Sequence, residues 1–150
     1  MATQSDFLGT GWRFPFAFTR RKGGVYRGET VSESSGVEHI TQSIAQILDT
    51  RIESRVMRRD FGSGMRGIVF EPNDPQLDIQ LDYLIRSAIA RWEPRVFVGP
   101  IRIDRSQWKD GRIDITLQFT IIKTNVTANM VFPYFLGEEQ RKNFVTPAQV

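Results

Sequence analysis

A chain of 150 residues, 40% hydrophobic and 25% charged, is long enough to bury one core and has the balance of an ordinary globular domain. It has no cysteine and one histidine, His39, which excludes disulfides, thiolate nucleophiles and cysteine-held zinc and leaves no set for a multi-histidine metal centre. Its 20 basic residues exceed its 17 acids by three, but they are mostly Arg, interleaved with acids, which suits multidentate contacts to protein better than a track for nucleic acid.

Residues 1–6 lack the basic and apolar stretches of an export signal, and no apolar run nears the roughly 18 residues of a membrane span. A flexible lead of residues 1–6, a folded body over 7–136 and a polar tail over 137–150 are expected. In the first part of the body Trp12, Phe14, Phe16 and Phe18 alternate with other residues around Pro15. Alternation predicts an extended arm, and the proline restricts it to an edge or an irregular segment. The simplest use for these aromatics is to cover the domain's own core. Residues 20–35, rich in Gly, Ser and charge, read as a mobile surface loop.

Ser35-Gly36-Val37-Glu38 matches a capping box that opens a helix. Val37, Ile40, Ile44, Ile47 and Leu48 follow at helical spacing as one buried stripe, with His39 off it. Residues 50–71 are irregular, and Gly62 and Gly64 suggest tight turns with positive backbone angles. Glycines beside arginines could cradle phosphate, but the spacing of a P-loop is missing.

Asp74 and Pro75 are the N-cap and first residue of a second helix, whose apolar face is Leu77, Leu81, Leu84, Ile85, Ala88, Ile89 and Trp92. Asp78 and Asp82 in its first half and Arg86 and Arg91 in its second complement the helix dipole. Pro94 ends it. Three strands follow at 96–104, 112–121 and 126–135, with a kink at Gly99-Pro100, a reverse turn at Lys109-Asp110-Gly111 and a short connection at Thr124-Asn125. The fold class expected is α+β, a small antiparallel meander packed against two main helices in a single domain.

Chemistry is hard to find. Glu71, Glu93 and Asp60 lie near turns or helix ends, but no spacing pairs them as a glycosidase needs, and Arg95 beside Glu93 favours a carboxylate over a general acid. Asp74, Asp78 and Asp82 lack a calcium-loop pattern. An interaction protein remains. Residues 126–132 carry no charge, so as an edge strand they lack the usual guard against pairing with another chain, and an added strand is expected along Val126, Ala128, Met130 and Phe132. The alternative is that this strand is internal or covered by the N-terminal arm.

Several short motifs occur in a fixed order. They are Leu8-Gly9-Thr10-Gly11-Trp12-Arg13-Phe14-Pro15, Arg55-Val56-Met57-Arg58, Asp60-Phe61-Gly62-Ser63-Gly64, Val69-Phe70-Glu71-Pro72, Glu93-Pro94-Arg95, and Thr124-Asn125 before Val131-Phe132-Pro133-Tyr134. On these the chain resembles the baseplate wedge proteins of contractile phage tails and related contractile injection systems, a family called W/25-like and once labelled lysozyme-like. It departs from that family's pattern with Glu53-Ser54 where Gly-Glu is usual and with Arg59 in place of Pro.

The resemblance implies a structural sheath initiator, not an enzyme, with no cofactor and no metal. It implies that Glu93, Pro94 and Arg95 anchor the chain to the helical core bundle of the baseplate wedge, and Glu93→Ala or Arg95→Ala is expected to leave a folded monomer that fails to join the baseplate, because a charge-assisted contact is broken. It implies that the hairpin over 112–135 accepts strands from the contractile sheath protein. Six copies per particle are expected, with tube or hub proteins as further neighbours. Assembly in the bacterial cytoplasm into a phage tail or an extracellular phage-tail-like particle is also expected. The competing readings are a particle-borne peptidoglycan hydrolase and a nucleic-acid binder.

Overall fold

The computed structural model describes residues 8–20, 29–68 and 74–136. The chain is α+β and groups into two compact units, Met1–Ser43 and Ile44–Val150, the division falling within the first helix.

In the first unit, β1 (Thr10–Trp12) and β2 (Phe18–Arg20) pair antiparallel with β4 (Glu33–Ser35) and β3 (Glu29–Val31) respectively. Between the two ladders, Arg13 donates to the Ser32 carbonyl (2.9 Å) and Ser32 to the Ala17 carbonyl (2.8 Å). The segment read as a loop over 20–35 is therefore strand at 29–31 and 33–35, while 21–28 lie outside the described residues. Its Glu, Thr and Ser residues have no apolar alternation to announce a strand, and backbone pairing decides the matter instead. The aromatic arm also differs from expectation. Trp12 (68%), Phe14 (44%), Phe16 (61%) and Phe18 (68%) are exposed, with Phe16 packed edge-on against Trp12 and Phe14.

Helix α1 (Gly36–Asp49) follows β4. The capping box does not form among the described residues. Glu38 instead accepts from Gln42 (3.1 Å) and pairs with Arg13 (3.5 Å). His39 lies 3.3 Å from the Ser34 hydroxyl, and its ring packs so closely on Gly11 that a Cβ there would come within 2.4 Å of Cε1. Any side chain at that point of β1 would require the His39 ring to move. Ile40, Ile44, Ile47 and Leu48 of the helix are buried as the spacing predicts, and Val37 is half-buried.

The second unit is built on α2 (Pro75–Trp92) and a three-stranded antiparallel sheet of β5 (Val96–Asp104), β6 (Arg112–Ile121) and β7 (Val126–Phe135), in that order. Asp74 caps α2 by accepting from the Gln76 N–H (3.2 Å), and Pro75 takes the first helical position. Leu77, Leu81, Ile85, Ala88 and Ile89 are buried on its inner face. On β6 every odd residue from Ile113 to Ile121 is buried, so the sheet has one apolar face.

A bulge interrupts β5–β6 pairing between Val98 and Ile101, at Gly99-Pro100 as the sequence suggests. Arg86 serves it. Its two Nη atoms donate to the Val98 (3.0 Å) and Gly99 (2.9 Å) carbonyls, and its Nε pairs with Asp82 (2.8 Å). A residue read only as a dipole partner thus satisfies carbonyls at the irregularity. The turns close with positive φ at Gly111 (71°) and Asn125 (54°).

Candidate partner-binding sites

At the C-terminus of α2, Glu93 is the capping residue and donates its N–H to the Ile89 carbonyl (2.7 Å). Pro94 turns the chain, and the Arg95 carbonyl accepts from Ile122 (3.0 Å), tying the corner to the end of β6. The Glu93 side chain is 3% exposed and is gripped by Arg95 through two bonds, Nε to Oε1 (2.5 Å) and Nη2 to Oε2 (2.6 Å). The hydrogen bond to Glu93 raises the Arg95 pKa above its ordinary value. The acid therefore faces inward. Of the pair, only Arg95, with 32% of its side chain exposed, has surface to offer a partner. Removing Arg95 would strand a buried carboxylate, which weighs against the expectation that Arg95→Ala keeps the fold.

Beside this corner stands the loop that leaves α1. Ser63 closes its neck, its N–H donating to the Thr50 carbonyl (2.9 Å) and its hydroxyl to the Leu48 carbonyl (2.8 Å). Higher up, the Glu53 N–H donates to the Arg59 carbonyl (2.7 Å), and Ser54 donates twice to Arg51. Glycine takes the positive angle at Gly62 (φ 119°), where a Cβ would strike the Thr50 carbonyl. Gly64 does not take one. It opens a 3-10 turn (Gly64–Ile68), and a Cβ there would press on the Leu84 side chain at 3.1 Å.

The positive angles fall instead on Glu53 (φ 71°) and Met57 (φ 65°), each a conformation that costs an L-residue about 1 kcal/mol. At the tip Val56 and Met57 are 90% and 93% exposed. The flank is tied to α2: Phe61 packs on Trp92 (5.0 Å), Asp60 pairs with Arg91 (3.1 Å) and with Arg58 (3.7 Å), and Arg55 stacks over Phe61 (4.1 Å).

The third site is the outer side of β7. This strand pairs with β6 alone, so among the described residues the sheet ends there. Val126, Ala128, Met130 and Phe132 pair with Ile121, Phe119, Leu117 and Ile115, the buried residues of β6, and so lie on the core face. Met130 is buried and Val126 is 41% exposed. Two bonds fix the backbone parity. Ile122 donates to β5's neighbour Arg95, and Leu136 donates to Gly111 at the start of β6. Even residues of β7 therefore spend their peptide groups on β6, while Thr127, Asn129 and Val131 direct theirs to the open side. Pro133 shares that outward parity, as a proline in a sheet must. An added strand would meet the backbone of these odd residues, not that of the four named from the sequence.

Asp78 and Asp82 line an open groove of about 330 Å³ with Ile79, Ile101 and Ile103, and they pair with Arg105 (3.2 Å) and Arg86 (2.8 Å). Glu71 lies outside the described residues. Among the described residues, no group of acids or histidines could hold a metal, and no helix is long and apolar enough to cross a membrane.

Residues 34–126 match the family described as Baseplate wedge protein gp25. The chain belongs to this family. Baseplate protein W of Escherichia phage P2 is 39% identical over 99 residues, 66% of this chain and 84% of that protein. A solved structure from Geobacter sulfurreducens, described as a candidate tail lysozyme, is 32% identical, with a TM-score of 0.66 over 70% of this chain and 95% of that one. A chain of the anti-feeding prophage baseplate, 23% identical, has a TM-score of 0.58 over 94% of this wedge protein and 98% of its own length, a likeness of fold. The motifs from Arg55-Val56-Met57-Arg58 to Thr124-Asn125, with the corner and the whole loop, lie inside the matched span, whereas β7 beyond Val126 lies outside it.

Proposed function

We propose that this wedge protein is a structural part of a contractile-tail baseplate, joins the wedge to the sheath and seeds sheath polymerisation by accepting a sheath strand on the outer side of β7. The observation that carries this reading is the open edge itself: three consecutive outward positions, Thr127, Asn129 and Val131, on a strand with no charged residue. Natural edge strands are usually guarded by charge, and leaving one bare is economical only if another chain covers it. The Glu93-Pro94-Arg95 corner would hold the wedge's helical core bundle through the partly exposed guanidinium of Arg95, with Glu93 positioning it. Six copies would stand around the tube. Assembly in the bacterial cytoplasm fits the absence of cysteine from the sequence.

A proline scan of β7 tests the templating. Asn129→Pro removes one N–H from the open side and none from the β6 ladder, so the fold should survive and particles should carry the chain but show bare tubes by electron microscopy. Ala128→Pro removes a β6 bond and should lower stability. Normal sheaths on Asn129→Pro particles would sink the templating role. The name of the Geobacter sulfurreducens relative raises hydrolysis as a second reading. It predicts turnover of purified cell wall by the isolated protein, lost in Glu71→Gln or Glu93→Gln. The engagement of Glu93, Asp60, Asp78 and Asp82 by arginines favours no turnover.

A further inference from the structure

We infer that the tip of the loop before Phe61 is a docking knob, with Val56 and Met57 filling an apolar socket on a partner protein whose rim carries carboxylates. The inference rests on the baseplate reading only for where that partner is found. The tip shows the two most exposed apolar side chains of the described residues, at 90% and 93%. It is also held in a fixed shape. The neck bonds at Ser63 and Glu53, the Asp60–Arg91 pair and the Phe61–Trp92 contact leave little slack, and Met57 sits at φ 65°. A loop with no task could bury or omit two apolar residues, or relax Met57. This one is braced to hold them out.

Charge complementarity selects the occupant. Between residues 51 and 60, Arg51, Arg55, Arg58 and Arg59 stand against Glu53 and Asp60, an excess of two positive charges. Asp60 is already shared by Arg91 and Arg58. Arg51 and Arg59 make no ion pair among the described residues, so they remain to meet carboxylates on the partner. A second copy would bring like charge to like charge. Nucleic acid has no use for an apolar tip held ahead of the arginines, and two apolar residues are too few to hold a membrane surface.

The test uses the full chain in a deletion background, with its amount per particle read by quantitative mass spectrometry. Val56→Ser/Met57→Gly changes only exposed side chains, and glycine accepts the φ of Met57, so melting and circular dichroism should match the parent. The expected result is a drop of about tenfold or more in the chain's abundance in particles, as hot-spot removal gives. Arg51→Glu/Arg59→Glu should reduce it similarly. Parental abundance in the tip variant would overturn the knob, and parental abundance in the charge variant would overturn the acidic rim. Tip-dependent binding of the purified chain to anionic phosphatidylserine vesicles or duplex DNA would replace the protein partner. The Asn129→Pro particles keep the two ideas apart, since a templating failure leaves the chain aboard and a docking failure does not.

Discussion

The Glu93-Pro94-Arg95 corner and the Arg51–Asp60 loop stand side by side at the end of α2, yet they treat their charged and apolar groups in opposite ways. The corner turns its acid inward, 3% exposed, and spends most of its guanidinium on it. The loop ties its backbone internally and leaves Val56 and Met57 in water. Both are short motifs with a charged residue at each end, and nothing in their composition foretells which will be consumed by the fold. Contact capacity belongs to the groups left over once the chain has satisfied itself.

The comparison breaks most visibly at Arg95. Arg95→Ala leaves the Glu93 carboxylate buried without its cation and should cost about 3 to 5 kcal/mol, read as a lower midpoint in urea. A loss below about 1 kcal/mol would mean that the corner is not internally committed. Next is Tyr134, whose hydroxyl donates to the Met65 carbonyl (2.7 Å) and so anchors the 3-10 turn just after the loop. Tyr134→Phe should cost about 1 to 2 kcal/mol by leaving that carbonyl unpaired. Burial pushes the Tyr134 pKa up to about 12 from an ordinary 10.0. The neutral phenol is thus favoured by folding, and its contribution is fully present below pH 10.0 and lost as pH rises towards about 12. Stability measured across that window should fall less steeply in Tyr134→Phe.

Smaller still is the outer tether. Asp60→Asn loses exposed pairs to Arg91 and Arg58 and should cost no more than about 1 kcal/mol in thermal melts. Smallest is Met57→Gly. It relieves a left-handed methionine but loosens the unfolded chain, so the net change should stay within about 0.5 kcal/mol. A large loss of stability there would make the tip part of the fold and not a free knob.

Much of the second unit could be read from the sequence. The Asp74-Pro75 start, the stop at Pro94, the strict alternation of Ile113 to Ile121 and the Gly99-Pro100 bulge each follow from a local rule, and the structure has them where the rule puts them. The first unit is less legible, because Val31 is the one apolar residue in β3 and β4, and Trp12, Phe14, Phe16 and Phe18 stay exposed. The named motifs were visible, but their orientation was not. Glu93 is buried because a helix end and a strand start converge on it, and only the paired strands reveal that the even residues of β7 serve β6. The loop tip carried one signal: two adjacent apolar residues amid arginines in a stretch with no periodicity. Recognising it as exposed requires the positive angles at Glu53 and Met57, which non-glycine residues do not advertise.

The most direct measurement is a cryo-electron microscopy reconstruction of the assembled particle at the junction of baseplate and sheath. A strand of the first sheath ring hydrogen-bonded along Thr127, Asn129 and Val131 is the predicted result. An outer side of β7 left in solvent, or covered by a protein other than the sheath, would contradict the account.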